Sequence, residues 1–295
     1  MILRGKELSE QIIASIRPQV AQIEKTIGRR PSLSVILVGD DPASRTYVRN
    51  KEKACEKADI EHRTLVLPSD TTQAQLLEHI EKLNADPSTD ALLVQLPLPS
   101  QIDEDTVTKS ILPSKDVDGF HPANMASLYA LRDNAEIASR GCVPCTPRGI
   151  MRLLEEAGVD PEGKSAVVVG RSNIVGLPVA KMLLNAGATV TVCHSKTRNL
   201  EAFTREADIL VCAVGSPALI SVDMVKDGAV VIDVGINRTQ EGKLCGDVDF
   251  ESVAPKSSFI TPVPGGVGPM TIASLIQNTL DCCTRRFAAE LNNNI

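Results

Sequence analysis

Short runs of aliphatic and β-branched residues recur along this chain, and most of them run into a glycine or proline turn followed by residues at helical spacing. SLSVILVG, ALLVQLPLP, SAVVVG, DILVCAVG and GAVVIDVG are almost continuously apolar rather than alternating. A strand with one wet face alternates apolar and polar side chains, whereas a strand covered on both faces does not. Covered strands separated by helices make parallel sheets, so the pattern predicts an α/β fold. With 295 residues, 43% of them hydrophobic, the chain is long enough for two aliphatic cores, which excludes disorder, collagen and a small disulfide scaffold.

The alternation comes in two sets. In the first, Leu8, Ile12, Ile16, Val20 and Ile23 mark a helix before the strand SLSVILVG. A helix over about 45–58, the strand HRTLVLP, a helix opened by a capping box at Thr72 and Gln75, and the strand ALLVQLPLP follow. The second set starts after GCVPCTP with the helix GIMRLLEEAG and the strand SAVVVG. It continues with a helix over about 177–185, the strand ATVTVCH, a helix near 200–205, and the strands DILVCAVG and GAVVIDVGI. The domain boundary is therefore expected near residue 140, giving 1–139 and 140–271. A last helix over about 272–291 suits either half on pattern alone.

Charge and composition narrow the partners. A formal net charge of −6 supplies no basic field, and with 2% aromatics and no Trp there is no base-stacking platform, so nucleic acid is not expected. The start MILRGKELSEQ reaches acidic residues at once and does not read as a signal peptide, and no apolar run nears the roughly 18 residues of a membrane helix. A soluble, cytoplasmic protein without a membrane partner is expected. The eight Cys are expected as thiols. Cys142 and Cys145 form a lone CxxC without a second pair, so no metal site is expected, and Cys282 and Cys283 read as packing residues in a helix.

SAVVVGRSNIVGLPVAKMLLNAG combines a buried strand, a small-residue turn and a helix. Gly170, Ser172 and Gly176 stand where a dinucleotide fold needs a tight turn, a small residue near the pyrophosphate and close helix packing. Ser172 replaces the second glycine of GxGxxG, and Gly176 comes one residue late. About 20 positions on, where an NAD site usually has a carboxylate, the sequence has His194, Ser195, Lys196, Thr197 and Arg198. Together with Arg171 these favour the 2′-phosphate of NADP; the plain alternative is a solvated basic loop.

In the first set, Tyr47 and Lys51 are four apart on a predicted helix and share one face, as a ligand pair or as an ordinary surface pair. Lys53 and Lys57 read as solvated. Gln95 interrupts an apolar strand end, where ligand crevices lie in open α/β sheets. Asp116 and Asp118 precede Gly119 in KDVDGFHP, which also suits an Asx-type turn. His121 lacks a Ser or Cys nucleophile partner and reads as structural. In TPVPGGVGPMT, Gly265 and Gly266 allow close backbone approach to a ligand.

Taken together, VGDDPASRTYVRNKEKA, VQLPLP, KDVDGFHP, PCTPRGI, VVGRSNIVGLPVA, DVGIN and TPVPGGVGPMT, in this order, resemble the methylenetetrahydrofolate dehydrogenase/cyclohydrolase family of the bifunctional bacterial type. The resemblance implies two α/β domains around a cleft, the second a Rossmann-like doubly wound parallel sheet, with the C-terminal helix 272–295 returning to the first. It implies NADP as cofactor, tetrahydrofolate derivatives as substrates, and a homodimer. Lys51 would be the central catalytic group, with Tyr47, Gln95 and Asp118 beside it. Val94, Leu96, Pro264, Gly265, Gly266 and Gly268 would complete the folate site, and Gly170, Arg171, Ser172, Ser195 and Ile236 would contact NADP. Asp59 stands where many relatives have Gly, at the end of the Tyr47 helix. The rivals are a dehydrogenase without cyclohydrolase activity, a silent nucleotide-binding protein, and an NADP-dependent dehydrogenase of another small molecule.

Overall fold

The computed structural model of the protein describes residues 1–239 and 241–288. It divides into two compact units. The first takes in Glu10–Ala130, Ala135–Cys145 and the chain from Ile272 onward; the second takes in Met1–Ser9, Leu131–Asn134 and Thr146–Thr271. The first nine residues thus group away from the helix they begin, because Leu3 N donates to Ile260 O at 2.8 Å and Lys6 N to Gly265 O at 3.1 Å.

The first unit runs α1 (Gly5–Ile27), β1 (Ser32–Val38), α2 (Pro42–Ala58), β2 (Glu61–Leu67), α3 (Gln73–Ala85) and β3 (Ala91–Val94). Three short helices follow: α4 (Glu104–Ser110), α5 (Pro122–Ala130) and α6 (Asn134–Arg140). The strands pair in parallel in the order β2-β1-β3, with Val35 opposite Thr64 and Leu93. Side chains alternate across a strand, so β1 feeds two cores. Leu33, Val35 and Leu37 pack with Ile16 and Val20 of α1, Val48 and Cys55 of α2, and with Ile276 and Leu280 farther along the chain. Ile36 and Val38 pack on the opposite face with Leu76 and Ile80 of α3 and Leu92 of β3.

Local signals set the ends of α2 and α3. Asp41 caps α2 by accepting from Ser44 N at 2.7 Å, and Pro42 occupies a first-turn position where a missing N–H costs nothing. At the other end Asp59 sits at φ 63°, donating its N–H to the carbonyls of Cys55 and Glu56, so it adopts the left-handed cap for which glycine is the usual residue. The Thr72 and Gln75 box forms in both directions, at 2.9 and 3.3 Å.

The second unit contains α7 (Cys145–Glu156), β4 (Ser165–Val169), α8 (Gly176–Asn185), β5 (Thr189–Cys193), α9 (Leu200–Thr204), β6 (Ile209–Cys212) and β7 (Val230–Asp233). A small antiparallel pair, β8 (Asn237–Arg238) and β9 (Leu244–Cys245), precedes α10 (Phe250–Val253), β10 (Phe259–Ile260) and the start of α11 (Val267–Arg286), whose residues from Ile272 belong to the first unit. The main sheet is parallel throughout, in the order β10-β7-β6-β4-β5. One face packs Val167, Val169, Leu210 and Val231 with Val225, Val248 and Val253.

Two elements differ from the sequence reading. The strand expected over ALLVQLPLP ends at Val94, and the chain leaves the sheet at Gln95. The final helix begins at Val267, so Gly268 and Pro269 lie in its first turn rather than in a loop; proline is tolerated there because that N–H has no helical partner. The expected helix end at Leu291 lies outside the described residues. Among the described residues, no helix is long and apolar enough to cross a membrane.

Candidate active site

In the first unit the chain leaves β1 for β2 on one side and returns to β3 on the other. The carboxyl ends of β1 and β3 therefore flank the point where strand order reverses, the usual ligand crevice of such sheets. Helix α2 follows β1, and Gln95 follows β3 with its N–H held by Ile36 O at 2.8 Å. Lys51 Nζ donates to Gln95 Oε1 at 2.9 Å, and Gln95 Nε2 donates to Leu96 O at 2.6 Å. The second bond fixes which end of the amide faces the lysine. Lys51 is half-buried, and Tyr47, one turn earlier on α2, is 40% exposed. Burial raises the Tyr47 phenol above its ordinary value, so the ring keeps its proton and can donate.

Asp116 and Asp118 divide the work of the KDVDGFHP turn. Asp116 is buried and accepts from Gly119 N at 3.1 Å, His121 N at 2.7 Å and Asn124 Nδ2 at 2.9 Å. Burial pushes its carboxyl up, while these donors hold it down. Asp116 thus builds the turn and leaves Asp118 half-exposed. Val94, Leu96 and Asp118 line one small cavity of about 20 Å³. His121 Nδ1 accepts from Ala123 N at 3.0 Å at the start of α5, as befits a structural residue.

The second unit repeats the logic at β4. Its neighbours are β5 on one side and β6 on the other, so strand order reverses there. Gly170, immediately after β4, has φ 122°, and a Cβ on it would come 2.2 Å from Ala213 O beyond β6. A Cβ on Gly176 would come 2.2 Å from Gly170 O. Both positions require glycine, one for conformation and close approach and the other for packing α8 onto the turn. Ser172 Oγ accepts from Val175 N at 3.2 Å and Gly176 N at 3.3 Å, so its hydroxyl organises the helix start. Gly170 N donates to Cys193 O at 2.9 Å, which sets the Arg171 turn beside the His194 to Arg198 turn. Arg171, Ser195, Lys196 and Arg198 are all exposed there, a cationic rim fit for a phosphate. Ile236, 53% exposed, follows β7. Gly265, at φ 101°, and Gly266, whose Cβ would meet Pro262 O at 2.6 Å, make a glycine-dependent turn with Pro264 ahead of Gly268.

Comparison with known proteins decides the family. Residues 3–118 match the model of the tetrahydrofolate dehydrogenase/cyclohydrolase catalytic domain, and residues 144–287 match that of its NAD(P)-binding domain. The "Bifunctional protein FolD" of Moorella thermoacetica is 56% identical over 284 residues, covering 96% of this chain and 99% of that protein. The chain belongs to the tetrahydrofolate dehydrogenase/cyclohydrolase family. The crystal structure of the bifunctional enzyme FolD from Campylobacter jejuni superposes with a TM-score of 0.92 at 51% identity, covering 97% of this chain and 99% of that one. The Trypanosoma brucei dehydrogenase-cyclohydrolase, complexed with NADP cofactor and inhibitor, gives 0.90 at 38% identity over 97% and 98%.

Within this family member, one organising residue lies outside every motif singled out from the sequence. Asp247 is fully buried and accepts from Val214 N at 2.7 Å, Gly215 N at 3.1 Å, Ser216 N at 2.8 Å and Asn237 Nδ2 at 2.9 Å. It ties the loop after β6 to the residue that follows Ile236. Asp233, at the end of β7, accepts in turn from Gly235, Asp247 and Val248 N–H groups, and burial pushes its carboxyl up to about 6. The only sequence signal for Asp247 was an acidic residue after a glycine, in GDVDF.

Proposed function

We propose that the protein is a bifunctional one-carbon folate enzyme. It oxidises 5,10-methylenetetrahydrofolate to 5,10-methenyltetrahydrofolate with NADP, then hydrolyses that cation to 10-formyltetrahydrofolate. The observation that carries the reading is the 2.9 Å hydrogen bond from Lys51 to Gln95 at the β1/β3 switch point. Family membership and the glycine-dependent β4–α8 turn support it.

Gly170, Arg171, Ser172, Ser195 and Ile236 would hold the cofactor, in a strand–turn–helix whose glycines draw the backbone tight and let a nucleotide phosphate approach the start of α8. When bound, NADP accepts the hydride. On the folate side, loss of hydride leaves a cationic amidinium, which an ammonium would oppose and a neutral amine would not. Gln95 positions Lys51 through an uncharged amide, so it adds no charge of its own. In its neutral form Lys51 can take a proton from the water that attacks the methenyl carbon. Tyr47 would cover a folate ring, with its phenol free to donate. Asp118 would accept from the pterin edge, beside Val94 and Leu96. Pro264, Gly265, Gly266 and Gly268 are assigned as further folate contacts. We place the enzyme in the cytoplasm as a homodimer, on the family resemblance.

The test uses purified protein with methylenetetrahydrofolate and either NADP or NAD, following methenyltetrahydrofolate absorbance. Methenyltetrahydrofolate hydrolysis is followed separately without nucleotide. NADP-dependent oxidation together with nucleotide-independent hydrolysis is expected. A clear preference for NAD would overturn the roles of Arg171 and Ser195, and absent hydrolysis would reduce the protein to a dehydrogenase.

A further inference from the structure

Away from Lys51, the first unit holds a cavity of about 530 Å³ whose wall includes Lys115, Arg140, Gly141, Cys282, Arg285 and Arg286. Behind this wall Cys282 Sγ lies 3.3 Å from Cys142 Sγ, and both side chains are buried. The Arg285 guanidinium donates to both sulfurs, at 3.1 Å to Cys142 and 3.4 Å to Cys282, and its other arm is fixed by Ala138 O at 3.1 Å. The loop carrying Cys142 is itself held, since Asn278 Nδ2 donates to Val143 O at 2.9 Å and to Val117 O at 2.8 Å. A Cβ on Gly119 would strike this loop at 2.8 Å, so the backbone there has no slack.

We propose that Cys142 and Cys282, poised at 3.3 Å under the Arg285 guanidinium with Cys282 in the wall of this cavity, form a dithiol site that small peroxides oxidise reversibly to a disulfide. Nothing in the folate or nucleotide chemistry uses these sulfurs. Their separation exceeds a disulfide bond of about 2.05 Å, so the two sulfurs must move together for the bond to form. The hydrogen bond with Cys282 and the nearby Arg285 guanidinium hold Cys142 below the usual thiol range, while the same contact and burial push Cys282 up. Cys142, the sulfur that Arg285 approaches more closely, at 3.1 Å, is assigned as the nucleophile, and Cys282, in the cavity wall, as the resolving thiol. The Cys142 thiolate attacks one peroxide oxygen, the O–O bond breaks, and the departing hydroxide takes up the proton Cys142 had released, giving water and a sulfenic acid. The Cys282 sulfur then displaces the sulfenic hydroxyl, which leaves as a second water with the Cys282 proton. Two thiols and one hydrogen peroxide give one disulfide and two waters, with the sulfur pair losing the two electrons that the peroxide gains.

The experiment treats the full-length protein with hydrogen peroxide, counts thiols after denaturation, and maps disulfide peptides by mass spectrometry. The expected result is loss of two of the eight thiols, a linked Cys142–Cys282 peptide, and full recovery with dithiothreitol. Cys282→Ser should yield no linked peptide. Arg285→Met, which keeps both sulfurs, should slow formation of the link by about tenfold, because the thiolate loses its guanidinium partner. Retention of all eight thiols at peroxide doses that oxidise free cysteine would overturn the proposal. Thiol loss mapped to other cysteines, or an Arg285→Met protein that oxidises at the wild-type rate, would overturn it as well.

Discussion

Replacing Asp247 by asparagine changes almost no volume, yet it should separate the two activities. The carboxylate is fully buried, with Val214 and Gly215 N–H on Oδ2 and Ser216 N–H and Asn237 Nδ2 on Oδ1. An amide keeps one acceptor oxygen, so two of these donors would face an NH₂ group that cannot accept. A hydrogen bond to a charged acceptor contributes about 1.5–3 kcal/mol, so the variant should lose about 3–6 kcal/mol of second-unit stability. No relief comes from turning the side chain, because a Cβ on Gly235 would already lie 2.2 Å from Asp247 Oδ1, leaving no adjoining space. The loosened loops follow β6 and flank Ile236. If only about 1.4 kcal/mol of the lost order falls on cofactor binding, the KM for NADP rises about tenfold. Urea unfolding measures the first quantity and dehydrogenase kinetics the second. Methenyltetrahydrofolate hydrolysis without nucleotide serves as the internal control, expected within about twofold of wild type because Lys51 and Gln95 belong to the other unit. An Asp247→Asn protein with the wild-type urea midpoint and wild-type KM for NADP would refute the argument.

Lys51→Met should lower methenyltetrahydrofolate hydrolysis by about 10²–10⁴-fold, the usual range for a lost general base, while leaving NADP binding unchanged in a fluorescence titration. Full turnover in that variant would remove Lys51 from the mechanism. Gly170→Ala should cost about 2–5 kcal/mol in urea unfolding and abolish NADP binding, because the added Cβ meets backbone at 2.2 Å on a residue held at φ 122°. Wild-type affinity there would show that the turn can shift. Burial holds Asp233 up at about 6, against an ordinary value of 3.8, so the folded state binds its proton more tightly than the unfolded chain does. That contribution is fully present below about pH 3.8 and is lost as pH rises through about 6. Urea midpoints from pH 4 to 7 should therefore show wild type losing stability relative to Asp233→Asn as pH rises; a constant difference would contradict the burial argument.

The residues that could be read from the sequence are those whose constraint is local. Gly170 and Gly176 announce themselves because a strand, a turn and a helix lie within a few positions of one another, and each glycine answers a requirement of that short span. Gln95 stands out because a lone amide in an apolar run must find partners, and it found Lys51 on α2, the helix that follows the neighbouring strand. The start of α11 differs from the sequence reading for the same reason in reverse: Gly268 and Pro269 are common loop residues that a helix's first turn also accepts. The short helices α4, α5 and α6 offer too few residues for a period to register. Asp247 and the Cys142–Cys282 pair were hidden by distance. The donors of Asp247 lie between 10 and 33 residues away, and the two sulfurs are 140 residues apart. Such contacts exist only after parallel strands have set their ends side by side, so no window along the chain contains them. The hydrogen-bonded pair Lys51 and Gln95, 44 residues apart, shows what bridges that gap. Gln95 follows the end of β3 and Lys51 lies on α2, the helix that leaves the end of β1, and the switch point of a three-stranded parallel sheet brings the two together whatever lies between them.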